Sequence, residues 1–505
     1  MVAMPTQQPT NLSLAQSPPS QADAERLQQM KAAWKAYKGD FSKPLKVTQG
    51  KVDDNVLSNR CAPIVDKGVS FLFGQTLKIE GTDGNQDIQD AIDGLWGDDD
   101  DRMTLLSKAA INGGVCGHAF IKLIPAQGQM QYPRLVVMDP LLVRIVTHPD
   151  DCELVLAFVI EYPTAGGMQK RQIIARVDPD NLAGIAGEYD LDDYWTINTY
   201  IRSTVGGTVT SWQSVGEPET WDYPFPPIFH CQNLPNPNEA YGKPDLTSDI
   251  IDMNRALNFN QSNTNRIIRF HAHPKTWAKG LRTSQISIGI DDVIVLESKD
   301  GEIGTLEMHG DLASSLNFAA VLRADMDEQS RVPAVALGRQ SDLPKGNISG
   351  VALQLLFQPL IEKTTQKQRL YGKMIREITR AALVIAGKIA LTDYEDYQID
   401  LHWQNLLPVD DLAAAQAAQI LQAIGVSNQT LLQQLGYDPD AEADKSAAED
   451  AKKLVQFSRG QGMPPQPKNA DGSPVQQYAQ AEPTTVQQEA DKSAAEDAKK
   501  KEQSQ

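Results

Sequence analysis

The sequence predicts an α+β fold assembled around unusually long helices, and three observations carry that prediction. Between 117 and 228, short runs of alternating apolar and polar residues (119–124, 135–138, 141–146, 154–162, 172–177 and 195–203) are separated by turns such as Gly166-Gly167 and Gly206-Gly207, the pattern of half-buried strands. Over 246–271, Leu246, Ile250, Ile251, Leu257, Ile267, Ile268 and Phe270 recur with helical spacing and are interleaved with Asn254, Asn258, Asn260, Asn263 and Asn265. After Gly350 a stripe of Leu353, Leu356, Phe357, Leu360, Leu370, Met374, Ile378 and Leu383 predicts a helix of about ten turns.

A chain of 505 residues has room for three or four compact units. Residues 1–22 are rich in Pro, Gln and Ser and read as disordered; without a basic segment leading into an apolar one they are not a signal peptide. A short helix over 24–37 carries Leu27, Met30, Trp34 and Tyr37 on one face. A second helix is predicted over 53–73, entered through Asp53 and Asp54 and kinked at Pro63, whose ring removes an amide donor. The acidic run 98–101 precedes a helix over 103–111, whose positive N-terminal end favours carboxylates; the oxygen spacing of a calcium loop is absent.

The 246–271 helix would span roughly 39 Å with too little apolar surface for a core of its own, so it predicts solvent on one side and identical neighbours on the others. A strand-rich insert follows, with strands over 285–290 and 292–296 and a turn at Asp300-Gly301. A second helix over 312–331 bears the small residues Ala313, Ser314, Ser315, Ala319 and Ala320. Pro359 should bend the long helix near Leu355. From 360 to 388 that helix holds seven basic residues against Glu362 and Glu377, a stripe that would face DNA or the acidic flank of an adjacent subunit. A strand over 397–403 and helices over 410–424 and 429–435 come next. The segment EADKSAAEDAKK occurs at 442–453 and again at 489–500, around a Pro- and Gln-rich spacer, on a tail expected to be mobile beyond 460.

Lys and Arg number 47 against 65 Asp and Glu, a net charge of −18. That is the wrong sign for wrapping DNA by neutralising phosphates. It suits a wall that surrounds DNA without gripping it, and equally an ordinary acidic protein. Cys61, Cys116, Cys152 and Cys231 show no metal or redox spacing and read as reduced thiols of a cytoplasmic protein. No apolar run is long enough to cross a membrane. No GxxxxGK[ST], HExxH, GxSxG or CxxC motif occurs, so no catalytic residue, metal or cofactor is expected. Cys116-Gly117-His118 could pair a nucleophile with a base, but no third partner is evident and buried structural residues are the simpler reading.

The run Asn236-Pro-Asn-Glu-Ala-Tyr-Gly-Lys-Pro-Asp245 leading into Leu246, Ile250, Ile251 and Asn254, and then Gly346-Asn-Ile-Ser-Gly-Val-Ala-Leu353 about a hundred residues on, resembles the portal proteins of tailed bacteriophages. The resemblance covers about 47–437 and implies a portal-like fold. Its expected parts are an α/β wing (23–244), a stem of two helices (245–273 and 311–331) enclosing a small α/β clip (274–310), and a tunnel loop (336–350). A long kinked helix with the return to the wing (351–408), crown-like helices (409–458) and a low-complexity tail (459–505) complete it. The tunnel loop is short for the family, and the C-terminal region matches no pattern of it.

It implies a ring, usually of twelve subunits, at one capsid vertex of the virion, assembled in the host cytoplasm. Double-stranded DNA passes through it regardless of sequence, a terminase docks on it during packaging, and major capsid, scaffolding and head-tail adaptor proteins are its other partners. Arg339, Asp342, Lys345 and Asn347 would then lie on the DNA channel. Asn254, Asn258, Ile267, Leu316 and Ala319 would pack the stem and subunits, and Trp277, Lys279, Arg282 and Asp291 would form the docking face of the clip. Another capsid or tail structural protein, or a DNA-processing enzyme with clustered carboxylates, are the alternatives.

Overall fold

The computed structural model describes residues 13–434, apart from 177–193, 280–301, 307–311, 340–349, 407–418 and scattered loop positions, together with Glu442, Ala443, Lys445 and Ser446. The strands expected over 285–296, most of the 410–424 helix and the tail beyond 446 lie outside these residues. The chain divides into Met1–Pro408 and Val409–Gln505.

In the first unit, α1 (Gln21–Tyr37) is closed by a capping box in which the Ser20 hydroxyl and the Asp23 carboxylate satisfy each other's backbone amides. Helix α2 (Cys61–Phe73) begins eight residues later than the sequence suggested. Pro63 thereby sits in its first turn, where a missing amide leaves no intrahelical bond unmade, and no kink is needed. Strand β1 (Lys78–Gly81) and α3 (Gln86–Trp96) lead to α4 (Asp99–Cys116), which starts one turn earlier than expected. Asp98 caps α4 by accepting from the Asp101 amide, so the acidic run does serve as a helix cap. Gly117 ends the helix at φ 85°, a left-handed position that favours glycine.

Among the described residues all strand pairs are antiparallel. Strands β2 (His118–Ile124), β3 (Arg134–Met138) and β12 (Ile228–Gln232) form a three-stranded sheet in the order β12-β2-β3. A six-stranded sheet runs β10-β7-β6-β5-β4, with β11 also paired to β7. Its strands are β4 (Val143–Thr147), β5 (Val155–Pro163), β6 (Gln169–Ala175), β7 (Trp195–Arg202), β10 (Gln213–Ser214) and β11 (Glu219–Trp221). The short pair β8 (Thr204–Val205) and β9 (Thr208–Val209) branches from it. Both faces of this sheet are covered: Phe158, Ile160 and Ile174 enter the main core, whereas Ala157, Val159 and Ile173 enter a second core with Leu14, Ala15 and Trp212. That double burial is why β5 reads as an unbroken apolar run.

The second core corrects the expectation of a structureless N-terminus. Leu14 and Ala15 are 3% and 1% exposed. The buried Arg171 guanidinium donates to the carbonyls of Leu14, Ala15 and Ser17 at 3.1, 2.6 and 3.2 Å, and to Glu161 at 2.7 Å. Gln16 exchanges hydrogen bonds with the Trp212 backbone, and the Trp212 ring lies between Arg171 and Arg202 at 4.3 and 4.2 Å.

Helix α5 (Ser248–Ala272) is followed by the hairpin β13 (Lys275–Lys279) and β14 (Glu302–Leu306), then α6 (Leu312–Ser330). Helix α7 (Gly350–Ile385) spans 36 residues and continues through Pro359. Strand β15 (Ile399–His402) returns to pair with β1. In the second unit, α8 (Asn428–Gln434) starts where the Ser427 hydroxyl accepts from the Thr430 amide.

Candidate functional site

The elements around α5 and α6 carry most of the polar side chains buried in unusual ways. Residues 52–60 run extended along α5 instead of forming the start of a helix. Asn254 Oδ1 accepts from the Arg60 amide at 2.9 Å while its Nδ2 donates to the Ser58 carbonyl at 3.0 Å. Asn258 Oδ1 accepts from the Ser58 amide at 2.9 Å. Ser262 Oγ accepts from the Val56 amide and donates to the Val56 carbonyl, and Asn265 Nδ2 donates to the Asp54 carbonyl at 3.0 Å.

The spacing is what makes this work. Four residues of helix advance about 6.0 Å and two of extended chain about 6.6 Å, so successive helical turns meet alternate backbone groups of the strap. Asp54, 4% exposed, closes the ladder against Arg266 at 3.2 Å and Arg269 at 2.5 Å.

Asn254 and Asn258, expected to pack the stem and its neighbours, are thus buried on this strap of their own chain. The asparagines supply the backbone-like donors and acceptors that an extended segment without a sheet partner requires. Ala319 is buried in a small cluster with Leu257 and Leu322, Ile267 is half-buried, and Leu316 is 61% exposed.

A second polar cluster sits where α5 is entered. Asp245, whose side chain is wholly buried, receives Lys363 at 2.8 Å and Lys367 at 2.5 Å from α7. Lys363 also donates to the Ser330 carbonyl at the end of α6 at 2.9 Å, and the Asp245 amide donates to the Gly114 carbonyl of α4 at 2.7 Å. Tyr371 reaches the cluster through Asn233.

Burial pushes the Asp245 carboxyl up, but the two ammonium groups outweigh it and bring its pKa down to about 2. Burial lowers Lys367 to about 8; the Asp245 carboxylate opposes that shift and repulsion from the Lys363 charge adds to it. Glycines 113 and 114 make the room: a Cβ at 113 would collide with the Tyr371 hydroxyl, and one at 114 would stand 3.0 Å from the Asp245 carboxylate.

Two members of the expected basic stripe are therefore neither DNA-facing nor turned to a neighbour. Lys363 and Lys367 tie the approach to α5, and Lys363 the last residue of α6, to α7, whereas Arg369, Lys373 and Lys388 on the same segment are exposed.

Of the expected channel residues, Arg339 is described, and it is paired with Asp327 of α6. Asp342, Lys345 and Asn347 lie outside the described residues, as do Arg282 and Asp291. Trp277 is 40% exposed on β13 and faces Gly304 of β14, where a Cβ would approach its indole to 2.9 Å. Lys279 is exposed at the end of the same strand.

Sequence reasoning missed the histidine pair. His118 of β2 and His230 of β12 meet at 2.9 Å, and the Gly242 amide donates to His118 Nδ1 at 3.4 Å, which leaves His118 Nε2–H to donate to His230 Nδ1. Burial, then His230 and Arg26, push His118 well below the usual range; burial and then Lys373 bring His230 to about 4. Cys116 is buried with its thiol pushed up to about 12, which leaves little thiolate for nucleophilic chemistry.

The histidines set an acid limit on the fold. Each has a pKa depressed in the folded chain, so their contribution is complete above 6.5, the ordinary value, and falls as the pH drops towards about 4. Asp245, also depressed, adds a second loss between 3.8 and about 2. Urea midpoints at pH 7, 5 and 4 should fall in that order, and His230→Phe should flatten the change between pH 6.5 and 4. An unchanged slope in that variant would show that the pair does not set the limit.

No curated protein matches this chain. Among solved structures, one described as the neck of a native GTA particle computed with C12 symmetry is similar at 14% identity, covering 75% of this chain and 90% of that one with a TM-score of 0.37. The family model for phage portal protein, SPP1 Gp6-like, matches residues 19–454. That span takes in the six-stranded sheet, the α5–hairpin–α6 succession, the buried Asp245 cluster and all of α7, and the chain belongs to the phage portal protein family.

Proposed function

We propose that the chain forms a ring of twelve subunits that conducts double-stranded DNA into the capsid during packaging and out during ejection. The family match over 19–454 carries this reading. The protein is a portal of a phage-like head-tail connector, and its family is structural and not enzymatic. In the finer reading α5 and α6 are the stem and the β13/β14 hairpin is the base of the clip, with Trp277, Lys279, Arg282 and Asp291 on the surface that receives the terminase and later the adaptor. Capsid and scaffolding proteins meet the ring at the vertex, after assembly in the host cytoplasm.

The acidic balance of −18 suits a conduit, because repulsion of phosphate keeps DNA from sticking. Lys345 and Asn347 supply weak phosphate contacts blind to sequence, and Asp342 limits their strength. Arg339 contributes from the base of the loop, where Asp327 orients it. Mass photometry of the purified protein should show closed rings rather than the 55.4 kDa monomer. Lys345→Glu should leave rings intact and lower the DNA packaged per particle; full packaging at the normal rate would remove the loop from the mechanism.

A further inference from the structure

We propose that a cavity between strand β12 and helix α7 binds a small organic anion, a carboxylate carried on a flat apolar body. The cavity measures about 660 Å³, within the usual range for small-molecule sites. Phe158 of β5, Trp195 of β7, Ile228 of β12, and Leu370 and Met374 of α7 line its apolar side. The loop 235–240 forms another wall, and Asn236 braces that loop by donating to Glu239 at 2.7 Å and to the Tyr241 carbonyl at 3.2 Å.

The polar side is rich in unused donors. His118 Nε2–H donates to His230 Nδ1, so neutral His230 carries its own proton on Nε2, and its ring lines the cavity. Arg176 lies over the Trp195 ring at 5.9 Å, and its buried Nε has no acceptor. Lys373 of α7 and Tyr394 complete the set. Among the described residues, His230 Nε2, the Arg176 guanidinium, the Lys373 ammonium and the Tyr394 hydroxyl make no hydrogen bond or contact ion pair. Two of these groups are also fixed in place: the His230 ring stands edge-on to Phe158 at 5.6 Å, and the Tyr394 ring stacks on Phe225 at 4.8 Å. Donors held in advance cost little to order when a ligand arrives.

Three carboxyl groups line the same cavity, and their placement leaves the balance with the donors. Glu153 and Glu239 are exposed, and Glu239 already accepts from Asn236. Glu377 lies one turn beyond Lys373, and burial pushes its carboxyl up more than Lys373 and Arg380 pull it down. Its protonated form is therefore within reach, and in that form it donates to a bound carboxylate instead of repelling it. Two cations without contact partners against one carboxyl of raised pKa favour an anion, and the aromatic walls favour a flat apolar body.

A series of one body and three charges tests this. Cinnamate titrated into the full chain by calorimetry should bind once per subunit, cinnamamide at least about tenfold more weakly, and cinnamylamine not at all. Lys373→Gln and Arg176→Gln should each weaken cinnamate about tenfold with unchanged circular dichroism spectra, whereas Glu377→Gln should tighten it. Absence of saturable cinnamate binding, a preference for the amine, or affinity indifferent to both cation variants would overturn the proposal. Replacing the segment 177–193, which has six carboxylates and no lysine or arginine, by a short Gly-Ser linker should leave the affinity unchanged. A gain of tenfold or more there would mean that the chain's own acids fill the cavity, and would overturn the proposal as well.

Discussion

Asp245→Ala should destabilise the fold by about 3–5 kcal/mol, because it leaves Lys363 and Lys367 buried side by side without a counter-charge. Lys367→Met should cost far less. It leaves Lys363 and Asp245 as a neutral pair, keeps the volume of the side chain and removes the cation that burial already strains. The ordering of the two variants is the informative result, and urea midpoints measured at pH 7 supply it. Equal losses would mean that the cluster acts through packing and not through charge. Because Lys363 also holds the last carbonyl of α6, the Asp245 variant should in addition loosen the roots of both helices together.

The second large effect is expected from the ladder on α5. Replacing Asn254 and Asn258 with leucine strands the amides of Ser58 and Arg60 and the carbonyl of Ser58 against an apolar surface, at about 1–3 kcal/mol for each group left unmatched. The strap should detach locally before the molecule unfolds. Hydrogen exchange at Val56, Ser58 and Arg60 should therefore accelerate by orders of magnitude while the amides of β5 and β6 keep their protection. Unchanged exchange at those three amides would show that the strap is held by something other than the asparagines.

These two clusters also mark where the sequence stopped being legible. The bounds of α5, α6 and α7 and four of the six strands of the large sheet were readable to within a few residues, whereas the short β10 and β11 carry too few residues for a pattern to show. The Asp98 cap was readable too, because its partner is three residues away. The ladder was not, since its partners are separated by about two hundred positions and Val56, Cys61, Ile64 and Val65 happen to fall at helical spacing. One signal was present: Asn254, Asn258 and Ser262 recur at intervals of four, which places all three on one face of α5. The lysines of α7 misled for a similar reason, because a basic stripe in sequence does not reveal a single aspartate 122 positions upstream. His118 and His230 lie 112 residues apart and meet only through the pairing of β2 with β12.

The early part of the chain is anchored at a distance: Gln16 on Trp212, 196 positions away, and Val56 on Ser262, 206 away. During synthesis the strap therefore emerges long before the helix that receives it, and cannot be seated until about residue 265 has left the ribosome. Contacts of such long sequence separation form late and slowly. A subunit cut short before α5 would still contain the whole six-stranded sheet, yet its strap would have nothing to bind. Strand β1 waits longer still, for β15 at 399–402, so the early segments settle in the order in which their distant partners leave the ribosome.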